Sequence, residues 1–230
     1  MKRAIIAGLI FSVAGISFAG DAAAFKDIGF SDDGKIYVFG QYGMTDVKFR
    51  PYAEIYVVDV AKNEYVPGGV FKKFEAKADK SGKEVYENLF SARYSSEIAK
   101  YGCAKTASDD TLYVMENEAK GGTEKISFKD YGEENSVEQC DYSVRLVPTF
   151  EGVGQNCKSS FYIDLSIKNS GMEKKYKVGS PERKRAGVTG YKIVRIFRDA
   201  RKSALVFVVE KTVEDQTGTS IRYMVETVKL

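Results

Sequence analysis

Apolar and polar residues alternate along most of this chain, and the dominant period is two rather than 3.6. From Phe25 to Val60 the residues run FKDIGFSDDGKIYVFGQYGMTDVKFRPYAEIYVVDV. They read as strand, polar turn, strand, long polar loop and strand, with aromatics on alternate positions of IYVFGQY and AEIYVVDV. Strands are therefore expected near Phe25–Phe30, Ile36–Tyr42 and Glu54–Val60. Ser31-Asp-Asp-Gly34 has the chemistry of a tight turn and lacks the D-x-D-x-D-G spacing of a calcium loop. Asn63 and Pro67-Gly-Gly69 mark the exit from the third strand. The alternation resumes at Thr111–Glu116, Lys125–Lys129, Tyr142–Val147, Ser160–Lys168 and Lys174–Val178, then at Ile193–Arg198, Ala204–Lys211 and Ser220–Val228. In FYIDLSI, Phe161, Ile163, Leu165 and Ile167 share one face, and Asn169-Ser-Gly-Met172 offers a hairpin turn to Lys174–Val178.

One segment breaks this period. Ser81-Gly-Lys-Glu84 is a capping box, and Tyr86, Phe90, Tyr94, Ile98 and Tyr101 follow at helical spacing up to Gly102, a natural stop. The expectation is one long amphipathic helix over about 81–102 inserted in a single β-rich domain spanning 20–230. The class is mainly β (α+β) with antiparallel sheets. A repeat reinforces it: adding 167 takes Phe30 to Phe197, Asp32 to Asp199, Lys35 to Lys202, Tyr56 to Tyr223, Val58 to Val225 and Asp59 to Glu226. A repeat marks a building block whose neighbours complete its core.

The first 19 residues carry the marks of a cleaved secretory signal: Lys2 and Arg3, the apolar run AIIAGLIFSVAGI, and Ser17-Phe18-Ala19 with small residues at the cleavage positions. The run is too short and too rich in Gly and Ser to span a membrane well, and nothing later is longer. The expected location is secreted or periplasmic. Losing Lys2 and Arg3 lowers the formal charge of +3 by two, so the mature chain is nearly neutral. Nucleic-acid binding needs a concentrated basic face, and the densest basic stretch is only the loop Arg183-Lys-Arg185, which reads first as a solvated loop.

The chain has no His and no Trp, whereas it has 15 Tyr and 14 Phe. Missing His removes the commonest general base and metal ligand, and with it Ser-His-Asp and Cys-His catalysis. No metal or cofactor motif is visible. Three cysteines, Cys103, Cys140 and Cys157, allow three pairings in an oxidising compartment. Cys140 with Cys157 closes the shortest loop and is the expected bridge; in a reducing setting all three serve as small buried hydrophobes.

FSDDGKIYVFGQ followed by AEIYVVDV resembles the TolB-like β-propeller repeat, in which an FSPDGK-type turn precedes one strand and an I/L-Y-V-x-D strand follows; here Asp32 stands in place of the Pro. That resemblance implies propeller-like units at both ends. A blade takes about 40–45 residues and only two copies are visible, which argues against a closed propeller. Over nearly its whole mature length the chain also resembles an uncharacterised family of predicted secreted bacterial proteins. The matching segments are Ile28-Gly-Phe-Ser31, Phe39-Gly-Gln-Tyr-Gly43, Pro51-Tyr-Ala-Glu-Ile-Tyr-Val-Val-Asp59, Val66-Pro-Gly-Gly69, the capped helix, and Arg183-Lys-Arg-Ala-Gly-Val188 with Tyr191. This resemblance implies secretion and a fold, and assigns no catalytic residue.

The function expected from these features is an exported, non-catalytic module of the cell envelope that binds a protein, peptide or glycan through its loops. The first candidate is the segment Gln41–Tyr52, with Gln41, Tyr42, Phe49, Arg50 and Tyr52 and with Glu54 just beyond, because aromatics and Arg dominate binding hot spots. The alternatives are a glycan hydrolase built on paired carboxylates, which needs two in one cleft at roughly 5–9 Å, and a structural envelope component packing through the helix or a sheet edge.

Overall fold

The computed structural model describes residues 21–45, 48–115, 125–131 and 139–230; the expected signal peptide lies outside them. Among the described residues, fourteen strands form three open antiparallel-dominated sheets. The first is the meander β2 (Ala24–Phe30), β3 (Ile36–Met44), β4 (Pro51–Asp59) and β5 (Glu64–Phe74). The second runs β7 (Ile126–Asp130), β8 (Cys140–Glu151), β9 (Lys158–Asn169) and β10 (Met172–Val178), with β11 (Arg185–Ala186) on β9. The third is ordered β1 (Asp21–Ala22), β14 (Gly218–Lys229), β13 (Ala204–Asp215), β12 (Val188–Arg198) and β6 (Thr111–Val114).

The three sheets stack as layers, and the third is the middle one. Leu205, Phe207 and Val209 of β13 pack with Phe161, Ile163 and Leu165 of β9, while Ala204, Val206 and Val208 pack with Tyr37, Phe39 and Val58 of the first sheet. Both faces of β13 are thus covered, which explains why Ala204–Val209 is an unbroken apolar run. Each fully buried Phe or Tyr of these interfaces contributes about 1.5–3 kcal/mol.

Residues related by the 167-residue offset meet in one core. Phe30 and Phe197, Tyr37 and Ala204, Phe39 and Val206, Val58 and Val225 all belong to the layer between the first and third sheets. The meanders β2–β3–β4 and β12–β13–β14 therefore face each other, each supplying half of the interior that the other lacks.

The helix starts as expected. Glu84 N–H donates to Ser81 Oγ at 3.1 Å, and Ser81 N–H donates to the Glu84 carboxylate at 2.6 Å. The α-helix α1 (Gly82–Arg93) covers the outer face of the first sheet, and Gly82 is needed because a Cβ there would lie 2.5 Å from Gly43 O. Its regular turn ends earlier than expected. A wider turn over Tyr94–Ile98 and a tight one over Ala99–Tyr101 follow, and Gly102 closes them at φ +60°. The wide turn rotates the face, so Ile98 is buried while Tyr94 is 46 % exposed. The core side is Val85, Tyr86 and Leu89 rather than the full aromatic series.

All eleven expected strands are present, and β1, β5 and β11 add to them. Pro67-Gly-Gly69, expected to mark the exit from the third strand, is a bulge within edge strand β5: Val58 pairs with Tyr65 but Tyr56 with Val70, and Gly68 sits at φ +72°. An edge strand tolerates Pro because its outward N–H has no ladder partner to lose. The Asn169–Met172 hairpin forms as expected, with Ser170 and Gly171 both at positive φ.

The Cys140–Cys157 bridge is ruled out by register. Cys140 pairs with Asn169 at one end of the β8–β9 hairpin, while Cys157 precedes Lys158, which pairs with Glu151 at the other end. The twelve-residue β8 separates them, roughly 35 Å by strand rise, where a disulfide needs about 4.4–6.8 Å between Cα atoms. Cys157 is buried, and burial pushes the Cys103 thiol up to about 12, so both behave as small apolar side chains.

Candidate functional site

Two polar clusters occupy the same edge of β14, and each begins with a side-chain amide that caps the strand. Tyr223 N–H donates to Gln41 Oε1 at 2.8 Å, and Thr227 N–H donates to Asn63 Oδ1 at 2.8 Å. Capping of this kind closes an edge that would otherwise recruit another strand.

The first cluster contains most of the expected binding residues. Gln41 and Glu54 are cross-strand neighbours on β3 and β4, and both are buried. Gln41 Nε2 donates to Glu54 Oε2 at 2.7 Å, Tyr56 Oη donates to the same oxygen at 2.6 Å, and Lys72 reaches Oε1 at 2.9 Å. Burial pushes the Glu54 carboxyl up, but the bonds from Tyr56, Lys72 and Gln41 outweigh it and leave it below its usual value. Tyr52 is 1 % exposed; its Oη donates to Asp21 at 3.1 Å, and the Arg222 guanidinium lies 4.5 Å from its ring centre while also pairing with Asp21. Tyr42 faces the other way and packs against Tyr86 of α1, the tilted rings 5.5 Å apart. Arg50 lies in the short loop between β3 and β4, beside exposed Phe49. The segment Gln41–Tyr52 is thus no continuous loop: Gln41–Met44 belongs to β3, and Pro51 already begins β4. Its residues are dispersed over a buried network, the helix interface and the rim.

The second cluster is a cleft that crosses the three layers. Its walls are the β4–β5 turn, the loop from Gly179 to Arg185 and the capped edge of β14. Two lobes of about 150 and 380 Å³ share Asn63, Arg183 and Glu226. Lys62, Lys177, Arg183, Arg185, Lys211 and Lys229 line it, against the carboxylates of Glu64 and Glu226. The basic loop splits around it. Arg183 approaches Glu64 at 3.8 Å on the rim, and Arg185 reaches inward to Glu226 at 3.1 Å with its guanidinium 4.8 Å from the Phe161 ring centre. Lys184 turns away and binds Glu151 at 2.6 Å.

Glu226 is 3 % exposed, and burial holds its carboxyl above the usual range despite the bonds from Asn63 and Arg185. Lys211 is the reverse case. Burial, with Arg185 close by, lowers its ammonium to about 8. Among the described residues it forms no ion pair and no side-chain hydrogen bond. The expected strands already contained this signal: Lys211 continues the face of Leu205, Phe207 and Val209, and Glu226 continues that of Met224, so each puts a charge into an apolar phase. Among the described residues no group of three or more Cys, Asp or Glu is placed to hold a metal ion.

Comparison with known proteins places the chain by family. The family model described as Predicted secreted protein (DUF2259) matches residues 38–229. The chain belongs to this family of secreted proteins of unknown function. Searches of curated proteins and of solved structures found no match. The family description agrees with the secretory signal read from the first residues, and no helix among the described residues is long and apolar enough to cross a membrane.

Proposed function

We propose that this protein is a non-catalytic binding module of the cell envelope, and that its cleft takes an anionic group carried by a protein, peptide or glycan. The observation that supports this most is Lys211. A cation partly withdrawn from water, with a buried carboxylate (Glu54) acting on it but no ion pair of its own, is costly, and an arriving carboxylate, sulfate or phosphate would supply the direct partner that the fold leaves out. The rim adds Lys62, Lys177, Arg183 and Lys229, so the cleft draws anions in and holds them at its inner end. Hydrolysis fits less well. Of the two carboxylates, Glu64 is mostly exposed, and each is engaged by an arginine.

The test is titration of the mature protein with polygalacturonate, with poly-glutamate and with neutral dextran, followed by calorimetry. Binding of the two polyanions and not of dextran is expected, with Lys211→Met weakening it about tenfold or more. Equal affinity of the Met variant, or equal binding of dextran, would overturn the assignment.

A further inference from the structure

A second cavity, of about 350 Å³, lies at the end of the sandwich between the second and third sheets and shares no lining residue with the cleft. Its walls are mainly apolar, with Asp130, Asn169 and Arg198 as polar members. Tyr142, Ile167 and Tyr176 come from neighbouring strands β8, β9 and β10, and Leu230 closes one side. Arg198 forms its back wall, 6 % exposed. Nε and Nη2 of Arg198 donate to Asp110 Oδ1 at 3.3 Å, and Nη1 pairs with Asp130. That guanidinium has its counter-charges and is a fixed element of the wall, so it asks nothing of a ligand.

The mouth is different. Lys174 stands opposite Ile167 in the β9–β10 register, and Lys202 lies in the β12–β13 turn, held at φ +56° by its N–H bond to Asp199 O at 2.8 Å. Both lysines line the cavity, and neither forms an ion pair among the described residues. A mainly apolar chamber of this size with two exposed lysines at its opening has the form of a site for a small amphipathic molecule. We infer that it binds an aliphatic carboxylate, chain inward against Tyr142, Ile167 and Tyr176 and head group between Lys174 and Lys202.

The experiment uses decanoate below its micellar concentration, titrated into the mature protein by calorimetry, with octanoate and decyltrimethylammonium as comparisons. Saturable binding of decanoate is expected, weakening about fourfold for each methylene removed. The cationic analogue should bind about tenfold more weakly or worse. Ile167→Trp should fill the chamber and abolish binding while the β-sheet circular dichroism is kept. Lys174→Glu with Lys202→Glu, both on the surface, should reverse the head-group preference, and this decides the matter if Ile167→Trp does not fold. Lys211→Met should leave decanoate affinity unchanged, which separates this site from the cleft. No saturable binding, equal affinity for both head charges, or a Trp variant that binds like the wild type would each overturn the inference.

Discussion

The two clusters on the β14 edge are built from the same materials and end in opposite states. At Gln41 and Glu54, a buried carboxylate receives bonds from Gln41, Tyr56 and Lys72, and every charge is answered within the protein. At Lys211 and Glu226, the carboxylate has Arg185 and Asn63, while the neighbouring lysine has no ionic partner among the described residues. The lesson is that burial of polar residues does not mark a binding site. A closed network stiffens the joint between two sheets, and an incomplete one leaves room for a ligand.

The comparison breaks most visibly at the closed network. Glu54→Ala strands the Gln41 amide and the Tyr56 hydroxyl inside the protein, and should cost about 3 kcal/mol in urea unfolding. Glu54 also acts on Lys211 from a distance, so polyanion affinity should change by no more than about twofold.

Lys211→Met should act with the opposite sign, stabilising the protein by about 2–3 kcal/mol at pH 7. Unfolded, this lysine keeps its proton up to 10.5, and folded only to about 8. Between those values unfolding takes up a proton, so wild-type stability rises with pH and the advantage of the Met variant fades. Urea midpoints of both proteins from pH 7 to 10.5 check this, and parallel curves would contradict it.

A smaller effect is expected at Glu226. Its folded pKa lies above the usual 4.5, so its contribution is complete below 4.5 and is lost as pH rises through the folded value. Glu226→Gln should therefore lose ground to the wild type in acid and recover toward neutrality. Lys184→Ala gives the smallest change. Its partner Glu151 is exposed, so unfolding midpoints should stay put and polyanion affinity should remain within about twofold.

The strand frame was legible because a period of two is local: FYIDLSI and AEIYVVDV declare their faces without help from the rest of the chain. β5 was not, because Pro67-Gly-Gly69 has the chemistry of a turn, and only edge placement makes it a bulge. The cysteine pairing failed for a related reason, since proximity along the chain says nothing about hairpin register. The surroundings of the expected site residues were not legible: Gln41 and Glu54 were read at strand ends and Tyr52 in the loop between them, and polarity alone did not show that all three are buried. Strands β1 and β14 of the middle sheet meet Gln41 and Tyr52, through contacts of Tyr223, Arg222 and Asp21 that span much of the sequence. The cleft was half legible: the basic loop was visible, and the lysine in an apolar phase at 211 was the overlooked sign.

The facing of the two meanders also governs the order of assembly. Tyr37, Phe39, Tyr56 and Val58 find their cover in Phe197, Val206, Val208 and Val225, about 150 residues further along the chain. A chain emerging amino end first must carry that aromatic face uncovered until its last strands arrive. Closure is then a long-range event with a large loop to shut, which makes it slow. Every truncation before β12 leaves a greasy half-interface, a ready substrate for aggregation or for a chaperone.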